Sequence, residues 1–153
     1  MTLETAQMLS TVAHAHGMGQ WAYRPTHAKH PCTLWVGESQ ENFEWAFEHG
    51  IALGFEYSLR YSEDGPGGKR YKQHKSVDVI RRLESVMKLL PKMGKLSPFA
   101  QAMPDEYRNS CAVTAYRTFY QKEKARFAKW SAPRTRPEWM GPEIFLDPEP
   151  RGW

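Results

Sequence analysis

The stretch SQENFEWAFEHGIALGFEYSLRY, residues 39–61, decides the fold class. Phe43, Phe47, Ile51 and Phe55 recur every four residues, a helical period and not a strand period. Ser39 offers a side-chain oxygen to cap the first turn, and Glu41 and Glu44 follow where the helix dipole favours negative charge. Trp45, Leu53 and Leu59 flank the stripe. Gly50 and Gly54 repeat the same spacing beside it, which predicts close packing against a neighbouring element.

On the N-terminal side, residues 2–15 read as a helix. Leu3, Ala6, Leu9, Val12 and Ala13 fall near one face with Met8 beside them, and Gly17 and Gly19 stop it. From His16 to Gly37 no clean period exists, and Pro25 and Pro31 mark a structured loop. On the C-terminal side, residues 62–75 (SEDGPGGKRYKQHK) form a turn-rich loop that becomes basic. Ser76 is placed to cap a third helix with Val79, Ile80, Leu83, Met87 and Leu90 inward, and Pro91 ends it. Residues 91–109 are irregular around Pro98 and Pro104. A fourth helix is predicted from about Ser110 to Trp130, with Ala112, Ala115, Tyr116, Phe119, Tyr120 and Phe127 inward. Lys122, Lys124, Arg126 and Lys129 sit in its second half, where the dipole favours cations. The tail over 131–153 carries five prolines and no period. It wraps the domain or frays, with Trp139 and Ile144–Leu146 as docking points. The expectation is an all-α fold of about four helices with long structured loops. Residues 1–130 make the domain and 131–153 the Pro-rich tail.

Composition narrows the function classes. The chain has 153 residues, enough for one core, and 41% of them are apolar. Its mean hydropathy of -0.68 comes from a polar surface. No apolar run approaches the ~18–20 residues that span a bilayer, and the N-terminus lacks a secretory pattern. Two cysteines, Cys32 and Cys111, are too few for a disulfide framework and suit a reducing cytoplasm. Net charge is +4, which permits a polyanion partner without demanding one. Six tryptophans are the more unusual feature. Some belong in the core, and others can stack on bases.

Four groups of residues can carry chemistry. The first is Lys69, Arg70, Lys72, His74 and Lys75, ahead of the helix start at Ser76. Cations, backbone N–H groups and a helix dipole together suit phosphate, although a charge run is commonly just a solvated loop. GPGGKR lacks the GxxxxGK[ST] spacing of a P-loop. The second is His14, His16, His27, His30 and Cys32, residue types that ligate zinc. Their spacing fits no standard zinc module, so no metal and no cofactor are expected. Cys32 beside His27 or His30 could act as a nucleophile, although an inert cysteine is commoner. The third is the carboxylates Glu4, Glu56, Asp105 and Glu106, the residue type that acid–base chemistry at a sugar requires. Asp105 equally suits a cap on a short helix at 106–109, and Glu56 suits an i,i+4 pair with Arg60. The fourth is Trp21, Tyr23 and Trp35, read as loop-borne and therefore better stacking candidates than helical aromatics such as Tyr116.

The strings THAKHPCTLW (26–35), SQENFEW (39–45), EYSLRY (56–61), FAQAMPDEY (99–107) and AYRTFYQKEK (115–124) resemble a group of small, mostly phage-encoded proteins. Some members are described as pyrimidine-dimer DNA glycosylases, and the chain also resembles endonuclease V-like glycosylase/lyases. The resemblance implies a catalytic glutamate on the first long helix, which falls on Glu4. Leu3 and Gln7 stand where that family is expected to have arginines. It also implies attack on C1′ by an N-terminal α-amine. Members are expected to carry a further segment before this helix, and an amine at Thr2 would lie within a turn of Glu4.

The leading expectation is therefore a DNA-binding protein, with a DNA glycosylase/AP lyase acting on a damaged or modified pyrimidine as its enzymatic form. Glu4, His27, His30 and Asp105 are its catalytic candidates. Lys69, Arg70, Lys72, His74, Lys75, Trp21, Trp35, Arg117 and Lys124 are its DNA contacts. The alternatives are a non-enzymatic phage protein that binds nucleic acid or a host protein, and a metal-dependent hydrolase built on the histidine loop.

Overall fold

The computed structural model describes residues 1–64, 68–130 and 135–141. Among these the chain is helical and contains no strand, so the all-α class holds. Five α-helices are present where about four were predicted: α1 (Thr2–Ala15), α2 (Pro31–Glu38), α3 (Gln40–Tyr61), α4 (Ser76–Arg82) and α5 (Ala112–Phe119). The chain divides into two compact units, Met1–Ala102 and Met103–Trp153. The first holds α1 to α4 and the second holds α5.

In the first unit α1 packs against α2, α3 and α4. It buries Ala6, Leu9, Val12 and Ala13 as expected, but Leu3 is exposed. Thr5, Ser10 and Thr11 are buried as well, because α1 has neighbours on several sides; Ser10 and Thr11 bond the segment at 23–26, and Thr5 bonds back to the Met1 carbonyl.

The additional helix α2 occupies what read as loop. Pro31 does not break it. Proline lacks the N–H that the first helical position leaves unbonded, and its fixed φ suits that position. The His30 Nδ1 caps the helix by accepting from the Cys32 N–H at 3.2 Å.

α3 starts as predicted, with the Ser39 hydroxyl accepting from the Asn42 N–H at 3.2 Å. Its buried face differs from the expected one. Phe43 is fully buried, but Phe55 is 60% exposed and Leu59 is also exposed. The buried line runs through Ala46, Gly50, Gly54 and Ser58. A Cβ at Gly54 would lie 2.2 Å from Val77 Cγ2, and one at Gly50 would lie 2.7 Å from Ile80 Cδ1. The predicted close packing therefore runs along this line of small residues; of the predicted stripe Phe43 is core, Phe47 and Ile51 pack against the core, and Phe55 turns outward.

The predicted third helix is shorter than expected. α4 ends at Arg82 and a 3₁₀ segment continues over Glu84–Leu89. Val77, Ile80, Leu83, Val86 and Leu90 are buried. Val77 and Ile80 share a face of α4, and beyond it the three-residue period of the 3₁₀ segment keeps Leu83 and Val86 in line. Lys75, and not Ser76, stands at the cap position of α4.

A buried polar clasp closes the unit. Asn42 donates to the Trp35 carbonyl at 2.8 Å and to Ser97 Oγ at 2.7 Å, and it accepts from the Ser97 N–H at 3.1 Å. Trp35, Trp45 and Phe99 meet around it with ring centroids 4.8–5.7 Å apart. His49 stacks on Trp45, and burial holds its imidazole below the ordinary histidine range.

In the second unit the predicted helix at 110–130 is regular only over α5. A π turn follows at Tyr120–Lys124 and a 3₁₀ turn at Ala125–Phe127. Phe127, the one apolar side chain meant to hold the second half inward, is 65% exposed. Without burial to hold it, this polar segment has little to keep it in one long α-helix. Of the Pro-rich tail only 135–141 is described; Ile144, Phe145 and Leu146 lie outside the described residues.

Candidate nucleic-acid interface

Trp21 closes a 3₁₀ turn, Gly19–Trp21, directly after α1. Gly17 takes φ +72° to leave the helix, a conformation glycine adopts without strain. Gly19 lies against the His14 ring, where a Cβ would come within 2.2 Å of Nδ1. The chain beyond is fastened onto α1. Ser10 Oγ accepts from the Tyr23 N–H at 3.1 Å, His14 Nε2 donates to the Tyr23 carbonyl at 3.1 Å, and Thr11 Oγ1 accepts from the Thr26 N–H at 3.0 Å. Trp21 is thereby held outward, 58% exposed, and among the described residues no ring or cation stacks on it.

The Tyr23 hydroxyl lies 3.1 Å from Ser76 Oγ. This contact joins the Trp21 segment to the start of α4, where the basic run ends. Ser76 thus fastens this loop and does not cap the helix. His74 supports the same corner, its Nδ1 accepting from the Ser76 N–H and its ring meeting Tyr57 edge-on at 5.0 Å. At the other end of α4, Arg82 lines a hollow of about 420 Å³ with Trp21.

The basic residues are not equivalent. Arg70 pairs with Glu63, and its N–H donates to Asp64, so it is occupied within its own loop. Arg81 lies 3.9 Å from Asp78. Among the described residues no carboxylate pairs with Lys69, Lys72, Lys75 or Arg82. Sequence reasoning missed Arg82. Its signal was only an Arg81-Arg82 pair at the end of a short helix, without the density of the 69–75 run.

The remaining contact candidates are placed differently. Trp35 is not loop-borne. It lies on α2 at 5% exposure, with Nε1 donating to the Ser97 carbonyl at 3.4 Å, so its ring is core and is closed to a base. Arg117 and Lys124 lie in the second unit. Arg117 sits over Trp139 at 5.6 Å, and Lys124 sits over Phe119 at 5.3 Å.

Within the first unit, among the described residues, no side-chain hydrogen bond or ion pair joins Glu4, His27 and His30 to one another. Glu4 is exposed and lies 3.5 Å from the Met1 amine. His30 is used as a helix cap. His27 is exposed at a turn, with its carbonyl accepting from the His30 N–H at 2.9 Å. Asp105 belongs to the second unit. It sits in a 3₁₀ turn, Asp105–Tyr107, and pairs with Arg108 at 2.8 Å, so it is inside the short turn and not its cap. Beside it the Tyr107 hydroxyl donates to Glu123 at 2.5 Å, a bond that pushes the phenol up to about 12. Glu56 pairs with Arg60 at 2.6 Å, the i,i+4 arrangement that its spacing predicts. No group of three His, Cys, Asp or Glu side chains converges as a metal site among the described residues, and neither cysteine forms a disulfide. No helix among them is long and apolar enough to cross a membrane. Comparison with protein-family models, with curated proteins and with solved structures gives no match.

Proposed function

We propose that the protein binds single-stranded DNA without acting on it. The observation that carries this reading is the exposed Trp21 ring beside Arg82, on a segment fastened to the start of α4 where Lys72 and Lys75 lead in. Single strands are bound by cations that follow the backbone and by aromatic faces on which unpaired bases stack. Lys69, Lys72, Lys75 and Arg82 supply unpaired charge, and Trp21 supplies the face. The glycosylase reading needs an acid or base close to a group that attacks the sugar. Glu4 does lie 3.5 Å from the Met1 amine, but among the described residues no hydrogen bond or ion pair joins that exposed pair to Trp21 or the basic run. His30 and Asp105 are engaged elsewhere, which favours the binder.

Titration of the intrinsic tryptophan fluorescence with a deoxythymidine oligomer at several salt concentrations tests this. Four phosphate contacts predict a slope of log K against log salt of about −3 for a single strand. Absence of quenching, or affinity indifferent to salt, removes the reading. The enzymatic alternative is tested on dimer-containing and abasic duplexes with borohydride present. A trapped covalent adduct or strand scission would establish chemistry and displace the binder.

A further inference from the structure

A second feature lies in the same unit and is not used by the proposed DNA contact. The C-terminal half of α1, the loop at 25–28 and α2 enclose an open cleft of about 600 Å³. Its walls are mainly apolar, with Val12, Pro25, Ala28 and Leu34 among them, and its polar lining includes His16, Thr33 and Glu38. Clefts of this size and character are the usual form of small-molecule sites.

Two further observations distinguish this cleft from an accidental groove. Thr33 is 3% exposed, and its hydroxyl has no hydrogen-bond partner; the hydroxyl of Thr26, beside Pro25, is likewise buried and unpartnered. Buried polar groups are almost always paired, so the Thr33 orphan in the cleft wall calls for an explanation; Thr26 does not line the cleft. His27, between Thr26 and Ala28, takes φ +51°. Left-handed backbone at a non-glycine residue is strained and gathers at ligand sites. The surroundings hold this strain in place, because Thr11 bonds Thr26 on one side and His30 bonds the His27 carbonyl on the other.

We infer that the cleft binds a small organic amine with an apolar body. The lining contains one carboxylate, Glu38, no lysine or arginine, and two imidazoles, His16 and His14, the latter already bonded to the Tyr23 carbonyl. Arg24 and Lys29 adjoin the loop at 25–28 without lining the cleft. An anionic ligand would meet Glu38 unneutralised, whereas an ammonium group would pair with it. Glu38 Oε2 already accepts from Ser97 Oγ at 2.9 Å, which fixes the carboxylate's position. The apolar walls then take the body of the ligand.

The test uses phenethylamine as the probe and phenylacetate as its anionic counterpart, with isotope-labelled full-length protein followed by NMR. Saturable shifts at millimolar phenethylamine or below, centred on residues 11–16, 25–28 and 33–38, are expected, with none from phenylacetate. Glu38→Gln should weaken binding by about 10-fold, equivalent to about 1.4 kcal/mol. Ala28→Phe, an exposed loop substitution that fills the cleft, should abolish binding with the fold intact. Thr33→Val should raise the melting temperature of the free protein, because it removes the buried orphan hydroxyl, and should leave amine binding intact. Equal binding of phenylacetate, shifts centred elsewhere, no saturation, or an Ala28→Phe variant that binds normally would each overturn the inference.

Discussion

Asn42 shows how one side chain can fasten two distant segments. It is fully buried, and it ties α2 to Ser97 with four hydrogen bonds, to the Trp35 carbonyl, Glu38 and both the hydroxyl and the N–H of Ser97. Asn42→Ala strands the Ser97 N–H and should cost about 2–3 kcal/mol in chemical denaturation, at the upper end for a lost buried polar partner. Glu41, one residue earlier, accepts from the Met93 and Gly94 N–H groups at 3.0 and 2.6 Å. The Met93 backbone bond leads in holding its carboxyl below the ordinary range. A depressed carboxylate contributes stability that is complete above its unfolded value and is lost as pH falls through the folded one. Glu41→Gln should therefore melt earlier than the wild type near neutrality. The difference should vanish in acid, below the ordinary carboxylate range. At His27 the φ of +51° predicts the opposite sign of effect. His27→Gly relieves a left-handed residue, for which the usual cost is about 1–2 kcal/mol. It should match or exceed wild-type stability, and a large loss of stability would show a role for the imidazole in the fold.

At the scale of elements, the seam between α3 and α4 decides the packing. Gly54→Ala gains helix propensity of about 1 kcal/mol but forces a methyl group against Val77, where overpacking costs about 1–3 kcal/mol. The net effect should be destabilising. It should shrink in the Gly54→Ala/Val77→Ala pair, because the second truncation makes room for the methyl group. Simple additivity in that double-mutant cycle would place the seam elsewhere. The sequence showed that α1 and α3 exist and where they start, since apolar residues recur every three in α1 and every four in α3, and α3 has a capping serine. It did not show which face of α3 is inner. Phenylalanines carry the larger hydrophobic signal, yet Phe55 faces outward while Ala46, Gly50 and Gly54 let the helices approach. The Val77-Ile80-Leu83-Val86 line was visible as letters, but an α period fitted Val79 and Met87 nearly as well. α2 was hidden because Pro31 reads as a breaker unless its place at a first helical position is known.

At the scale of the whole molecule, the candidate interface was partly legible. Trp21 and the 69–75 run stood out by composition, and the Tyr23–Ser76 contact that links them is a tertiary fact no local pattern carries. Trp35 misled because an irregular stretch of sequence hid a helix, and a tryptophan on that helix is core. Arg70 misled because Glu63 and Asp64, a few residues earlier in the same loop, neutralise it. Arg70→Ala should accordingly change DNA affinity less than Lys75→Ala or Arg82→Ala when compared by filter binding at one salt concentration. The measurement that bears most directly on the proposed function compares wild type, Trp21→Phe and Trp21→Ala for affinity to a short single-stranded oligomer at fixed salt. Base stacking predicts that Trp21→Ala loses about 1–3 kcal/mol of binding while Trp21→Phe keeps a substantial part of it. Equal affinity of all three proteins, with their helical content unchanged, would contradict the assignment of Trp21 and the surface around it to nucleic-acid contact.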